Sequence, residues 1–344
     1  MRRVAVPAAV LGAMLALMAA GLAAAGYAPG AAFAALWRGS FGSGDAFLSG
    51  TLVRAIPLML IALGFALALR AGMLNIGAEG QFLAGAIAAT WIGIRVGAWP
   101  GPLAVVAIWV AAFVAGLLWI VVPVILRLRF GVLEVISTLL LNFVAEALVS
   151  LMVLGPMQES GGIYPQSDPI ADAARLPVVP GTRLHLGIVL AIAAAGGLWY
   201  HLYRTLGGFR LRAAGAGPLA ARVSGGIDVS RVAAIALLIS GGIAGVAGAA
   251  EVGGVSYALY PNLSPGYGFT AIAVALLARL HPLGIIAAGI LFGGLEAGAG
   301  AMQRDAGVPA VIVLVVEAGV ILALLLADAG RRGADRRAVL EAGA

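Results

Sequence analysis

The residues best equipped to do chemistry in this chain lie between Arg70 and Gln81, where it reads Arg-Ala-Gly-Met-Leu-Asn-Ile-Gly-Ala-Glu-Gly-Gln. Asn75, Glu79 and Gln81 place two amides and a carboxylate in a stretch bounded by long apolar runs. Polar groups at bilayer depth are costly and tend to line a cavity or pathway. Gly77 and Gly80, flanking Glu79, permit a broken helix that presents backbone groups to a solute, or a close helix approach. The same residues also suit a polar cytoplasmic turn between two spans, and the pattern alone leaves both readings open.

A second set consists of lone polar residues inside apolar runs. Glu134, Ser137 or Thr138, and Asn142 recur every three to four residues and so share one helical face. Glu146, Glu251, Glu296 and Glu317 are isolated carboxylates of the same kind. Each costs about 2.5–3.5 kcal/mol at a helix centre on insertion scales, so each should face protein or water rather than lipid. The stripe could line a conduit for a hydroxyl-rich solute, or be interhelical glue worth under about 2 kcal/mol per contact. No carboxylate has a basic partner four residues away in its own span, which argues against buried ion pairs. Tyr257, Tyr260, Tyr267 and Phe269 surround a Pro/Gly-rich loop; their rings could stack on a ring-containing solute or form an interfacial belt.

A third place is the stretch of about 204–230, which carries Arg210, Arg212, Arg222 and Pro218. Pro218 suits the first turn of a short helix over 218–223, and Gly225-Gly226 suits its end. Such a helix between basic stretches makes a knob for a groove on a cytoplasmic partner; a loop that only touched anionic lipid would need arginines but not this start and stop.

These residues sit on a hydrophobic frame. Of 344 residues, 62% are apolar and 10% charged, far from the quarter charged of a soluble domain. Ten apolar spans are predicted, at about 4–26, 49–70, 78–95, 103–126, 132–155, 184–203, 231–252, 267–281, 283–301 and 309–328. The expected fold is an all-α polytopic transmembrane bundle, with one transmembrane domain over 1–328 and a short polar tail over 329–344. All 21 basic residues are Arg. With both termini cytoplasmic, fifteen of them fall inside and six outside, as the positive-inside rule requires. The connection of about 156–183 is then external and that of about 204–230 cytoplasmic. Residues 1–26 have an apolar core longer than a signal peptide's, so a retained first helix is expected. Residues 30–39 suit a short interfacial helix carrying Phe33, Leu36 and Trp37.

Several function classes drop out. There is no Cys, which excludes disulfides and thiol catalysis, and the three His are far apart, so no metal site or catalytic set is expected. Without Lys there is no nucleotide-binding P-loop, so any ATP-driven work needs another subunit to bind and hydrolyse the ATP. The net charge of +6 reads as a topology signal rather than as nucleic-acid binding.

Several motifs resemble one family: Leu74-Asn-Ile-Gly-Ala-Glu-Gly-Gln81; Glu134-Val-Ile-Ser-Thr-Leu139 with Leu141-Asn142; Leu211-Arg-Ala-Ala-Gly215 followed by Pro218-Leu-Ala-Ala-Arg222; and Ser264-Pro-Gly-Tyr-Gly-Phe-Thr270 through to His281-Pro-Leu-Gly284. They resemble the permease subunits of bacterial ABC importers, in the ribose and branched-chain amino acid permease group and its nucleoside and simple-sugar branch. The resemblance implies an inner-membrane subunit that translocates a nucleoside or simple sugar. It also implies an ABC ATPase, a second and unlike permease, and an external solute-binding protein as partners. The ATPase-coupling loop would fall on Arg210, Arg212, Gly215, Pro218, Ala220 and Arg222. The translocation path would draw on Asn75, Glu79, Gln81, Glu134, Thr138, Asn142, Tyr267 and Phe269. The family usually has Asn before Pro218; Gly217 here makes a weaker cap. The competing reading is a stand-alone secondary transporter or channel that uses the intramembrane carboxylates. A membrane-embedded hydrolase finds no Ser, His and acid set to support it.

Overall fold

The computed structural model describes residues 2–309 and the isolated positions 312, 314, 315, 318, 319 and 322. Most of the last predicted run, about 309–328, including Glu317, and the tail 329–344 lie outside the described residues. Every named element is a helix; the described residues contain one isolated β-bridge, Val178 to His185, and no strand. In chain order the α-helices are α1 (Arg2–Ala24), α2 (Pro29–Ser40), α3 (Val53–Arg70), α4 (Ala78–Gly93), α5 (Gly101–Trp119), α6 (Val121–Phe130), α7 (Glu134–Val153), α8 (Gly187–Arg204), α9 (Leu206–Ala216), α10 (Pro218–Gly225), α11 (Val229–Glu251), α12 (Tyr267–Leu277) and α13 (Pro282–Ala306). Wider π-type turns precede α3 at Ala46–Leu52 and follow α11 at Val252–Ser256.

Five stretches are long and apolar enough to cross a membrane: Ala46–Arg70, Gly101–Phe130, Glu134–Val153, Val229–Ser256 and Pro282–Ala306. Two other predicted spans are shorter. The 16 residues of α4 rise about 24 Å and the 11 of α12 about 16 Å, against a hydrocarbon core of about 30 Å. Both have polar or Gly-rich N-termini, at Gly77–Gln81 and Ser264–Gly268, where a longer apolar helix would simply have continued.

The chain divides into two compact units. The larger, Leu52–Phe292, is built around α3, α4, α5 and α11. Small residues let these helices touch backbone to backbone: a Cβ on Gly245 would run into the Ala112 carbonyl, and one on Gly85 into the backbone of Gly245. Packing therefore explains the glycines at four-residue spacing in α11. The connection between α7 and α8 is tied down rather than loose. Ser167 exchanges hydrogen bonds with Leu259, Ile170 N–H donates to Tyr257 O, and Ala171 N–H donates to Gly93 O at the end of α4. The smaller unit comprises residues 1–51 and 293–344, with a core of Leu22, Ala32, Ala35, Met302 and Val308. In that unit α2 is the short helix expected over 30–39, and Trp37 is exposed on it.

Candidate functional site

The polar segment 71–81 is neither a helix interior nor a surface turn. After α3 ends at Arg70 the chain runs non-helically to Gly77, and Asn75 is completely buried. Its amide pairs reciprocally with Gln81: Asn75 Nδ2 donates to Gln81 Oε1 at 2.8 Å, and Gln81 Nε2 donates back to Asn75 Oδ1 at 2.9 Å. Asn75 Nδ2 also donates to Ser240 Oγ at 2.9 Å, and Gly77 N–H donates to Asn75 Oδ1 at 3.1 Å. On the other side Asn142 Oδ1 accepts from Gly80 N–H at 2.8 Å while its Nδ2 donates to Ile76 O at 3.0 Å. Unpaired, such groups would each cost about 1–3 kcal/mol to bury; here each is matched.

These partners fix the position of the segment. Asn142 is midway along α7 and Ser240 midway along α11, both of which belong to membrane-crossing stretches. Asn75–Gln81 therefore packs beside the middle of both helices, and α4 starts there. So does α12: Gly268 N–H donates to Glu79 Oε2 at 2.6 Å, and a Cβ on Gly268 would strike the backbone of Glu79. Ser264 Oγ accepts from Gly266 N–H and Tyr267 N–H, and its hydroxyl bonds the Glu79 carboxylate as well. Two short helices thus meet N-terminus to N-terminus beside the middle of α7 and α11. Glu79, in the first turn of α4, supplies the acceptor oxygen that the free N–H groups at the start of α12 need.

Beside this junction is a polar cavity of about 360 Å³, lined by Glu79, Leu83, Phe143, Glu146, Ser150 and the 261–264 loop among others. Glu79 is buried in its floor, whereas Glu146 is exposed. No Arg or His is among the residues that line it. The cavity therefore offers carboxylate and hydroxyl oxygens and an amide, a surface that accepts hydrogen bonds from a neutral solute rich in O–H or N–H groups.

Residues 47–326 match the family described as the permease component of branched-chain amino acid transport systems. The chain belongs to that permease family. It is 38% identical over 296 residues to the glucose ABC transporter permease protein of Haloferax volcanii, covering 83% of this chain and 77% of the relative. It is 37% identical over 305 residues to the guanosine ABC transporter permease protein of Bacillus subtilis, covering 86% of each. It is 32% identical over 283 residues to a nucleoside ABC transporter permease protein of Lactococcus lactis, covering 79% of this chain and 77% of the relative.

In this permease the basic 204–230 stretch forms α9 and α10. Thr205 caps α9, its Oγ1 accepting from Gly208 N–H at 3.1 Å. Pro218 opens α10, and Gly226, at φ 56°, closes it with Ile227 N–H donating to Ala221 O at 3.1 Å. Gly217 provides no side-chain cap. Pro218, Ala220, Arg222 and Arg210 are exposed. So are Leu219 and Val223, each 76% exposed and one turn apart. Sequence reasoning missed these two because apolar residues in a mostly apolar chain carry no signal until the helix around them proves to have no cover.

Gly215 sits elsewhere: a Cβ there would hit the backbone carbonyl of Arg70. The end of α9 thus rests on the start of the 71–77 segment. Arg212 lies over the Tyr203 ring at 5.2 Å and Arg70 over the same ring at 5.7 Å, while Tyr203 stacks on His281. Arg70 Nε also donates to Leu280 O at 2.9 Å, just beyond α12. Arg70 therefore touches both the segment that leads into α4 and the one that leaves α12.

The remaining candidates separate. Glu134 and Thr138 are buried at the start of α7, away from the cavity lining. Thr138 Oγ1 donates to Glu134 O at 2.7 Å, Glu134 Oε1 accepts from Leu74 N–H at 3.3 Å, and Arg127 Nε lies 3.3 Å from Glu134 Oε2. That ion pair crosses the α6–α7 turn, seven residues apart, so a search for four-residue spacing could not find it. Tyr267 is buried edge-on to Phe82 at 5.9 Å, and Phe269 is 45% exposed; neither lines the cavity. Glu251 is buried within electrostatic reach of Arg54 and Arg183. Among the described residues no cluster of three His, Asp or Glu side chains is placed to hold a metal ion.

Proposed function

We propose that this chain is the membrane-spanning subunit of an ATP-binding-cassette importer for a neutral nucleoside or simple sugar, working by alternating access. The observation that carries the reading is the N-terminal junction of the short helices α4 and α12 beside a cation-free polar cavity, in a chain of this permease family. Relatives named for glucose, guanosine and nucleosides support a solute rich in hydroxyls and ring N–H groups. The chain crosses the membrane ten times, α4 and α12 counting as two of the crossings, with both termini in the cytoplasm of a bacterial cell. The cavity then opens outward, toward a solute-binding protein, and α9–α10 face inward.

In this scheme the chain needs no cofactor of its own. ATP is bound and hydrolysed by a separate ATPase whose groove takes α10 through Leu219, Val223 and Arg222. Movement of α9 reaches Arg70 through Gly215, and from there the 71–77 segment and α12, so the junction can open and close on the ATPase cycle. A second permease completes the path; two guanosine permease proteins of Bacillus subtilis, 37% and 29% identical to this chain, are consistent with such a pair. Co-reconstitution with ATPase, second permease and binding protein tests the scheme. Uptake of labelled nucleoside or glucose should require internal ATP and persist when the proton gradient is collapsed. Uptake driven by the gradient alone would overturn it.

A further inference from the structure

Away from the junction, α8 and α11 frame a second cavity, of about 490 Å³ and of opposite character. Its floor is Leu67, Leu211 and Ala236, all buried, and its walls are aliphatic. The only imidazole, His201, stands in the last turn of α8, close to one end. From Val232 to Ile243 the groove follows α11 for about 16 Å, half the ~30 Å hydrocarbon core and therefore the depth of one leaflet. Its His201 end is basic: Arg204 lies one turn beyond His201 and Arg231 directly precedes Val232. Both arginines are exposed, and among the described residues neither forms an ion pair. A groove walled almost wholly by aliphatic carbon, with a basic end and the depth of one leaflet, matches an extended hydrocarbon chain carrying an anionic head.

We propose that this groove holds one acyl chain of an anionic phospholipid, its phosphate held between Arg204 and Arg231. Because Leu211 belongs to α9, the bound chain also braces the helix that rests on Arg70.

Photoactivatable phosphatidylglycerol and phosphatidylcholine, each with the reactive group in the acyl chain, test this with the full chain in nanodiscs. The anionic lipid is expected to label peptides spanning 194–211 and 232–243 about tenfold more than the zwitterionic one. Replacing both exposed arginines, Arg204→Gln with Arg231→Gln, should abolish that preference. Gly197→Leu places a side chain where nothing lies within 4 Å of the Cβ position, so it should fill the slot and reduce labelling by both lipids. Equal labelling by the two lipids, or a preference that survives the arginine replacements, would show ordinary annular contact and overturn the proposal. Protection of the same peptides by a partner protein in the assembled transporter would overturn it too.

Discussion

The α4–α12 junction and the α9–α10 hairpin carry the two halves of the proposed cycle, and they are built in opposite ways. At the junction Asn75, Gln81, Asn142, Ser240 and Glu79 are buried, and each is hydrogen-bonded to a specific partner. In α10 the side chains are mostly exposed, and the helix is defined by its ends, Pro218 and Gly226. A site that must hold polar backbone within hydrocarbon cannot leave groups unpaired, so its residues serve fold and function together. A site that must meet another protein keeps its contact residues out of its own core. Function and stability should therefore be inseparable by mutation at the junction and separable at the hairpin.

The sharpest attempt to break that contrast is Gly268→Val. A side chain there meets the Glu79 backbone, and the two helix N-termini cannot both yield. The expected result is loss of folded protein from the membrane and no measurable uptake; a well-folded variant would show that the junction is looser than drawn. Next in size is Asn75→Leu, which strands Gln81, Ser240 and Gly77 N–H together. With about 1–3 kcal/mol for each buried group left unmatched, destabilisation of several kcal/mol is expected, read as a large fall in thermal midpoint with uptake lost in parallel.

Glu146→Gln and Leu219→Glu probe the separable side. Glu146 is exposed in the cavity, so its amide should leave the stability within about 0.5 kcal/mol of the parent while weakening solute uptake about tenfold, the worth of one lost charge-assisted hydrogen bond. Wild-type uptake by this variant would remove Glu146 from the solute path. Leu219→Glu places a charge on an exposed apolar tip and should leave insertion and stability unchanged. ATPase activity that no longer responds to solute is the expected outcome; normal coupling would take α10 out of the docking face.

How much of this was legible beforehand follows the same division. Pro218 and Gly226 state their purpose locally, because a fixed φ and a left-handed φ are properties of single residues, so α10 was readable with its bounds nearly right. Asn75, Glu79 and Asn142 stood out as expensive, but apart from the local Asn75 bonds to Gln81 and Gly77 their partners are 62 to 189 residues away and depend on how helices stack, which no local period encodes. The same limit left the shortness of α4 and α12 hidden: apolar runs of 78–95 and 267–281 look like full spans until their polar, Gly-rich starts are seen to meet each other. Tyr267 and Phe269 stand two residues apart and look alike in sequence, yet one is core and the other exposed.

The smallest effect concerns pH and the long connection between α7 and α8. Glu159 accepts from the Gln166 side chain at 2.7 Å and from the backbone N–H groups of Tyr164 and Ile163. These bonds, with the Gln166 amide the largest contributor, hold its pKa below the ordinary carboxylate value of 4.5. A lowered folded-state pKa means the turn's stabilisation is fully present above that ordinary value and fades as pH falls through the lower one. Between pH 7 and pH 5 nothing should change; once the pH has fallen below that ordinary value the turn at 159–166 should loosen first. Amide exchange at Ile163 and Tyr164, followed from pH 6 to pH 3 and corrected for intrinsic rates, measures this directly. Glu159→Gln should show the loosened state at every pH. Protection that persists unchanged to pH 3 would mean that the hydrogen bonds to Ser167 and Ile170, rather than the carboxylate, hold this connection in place.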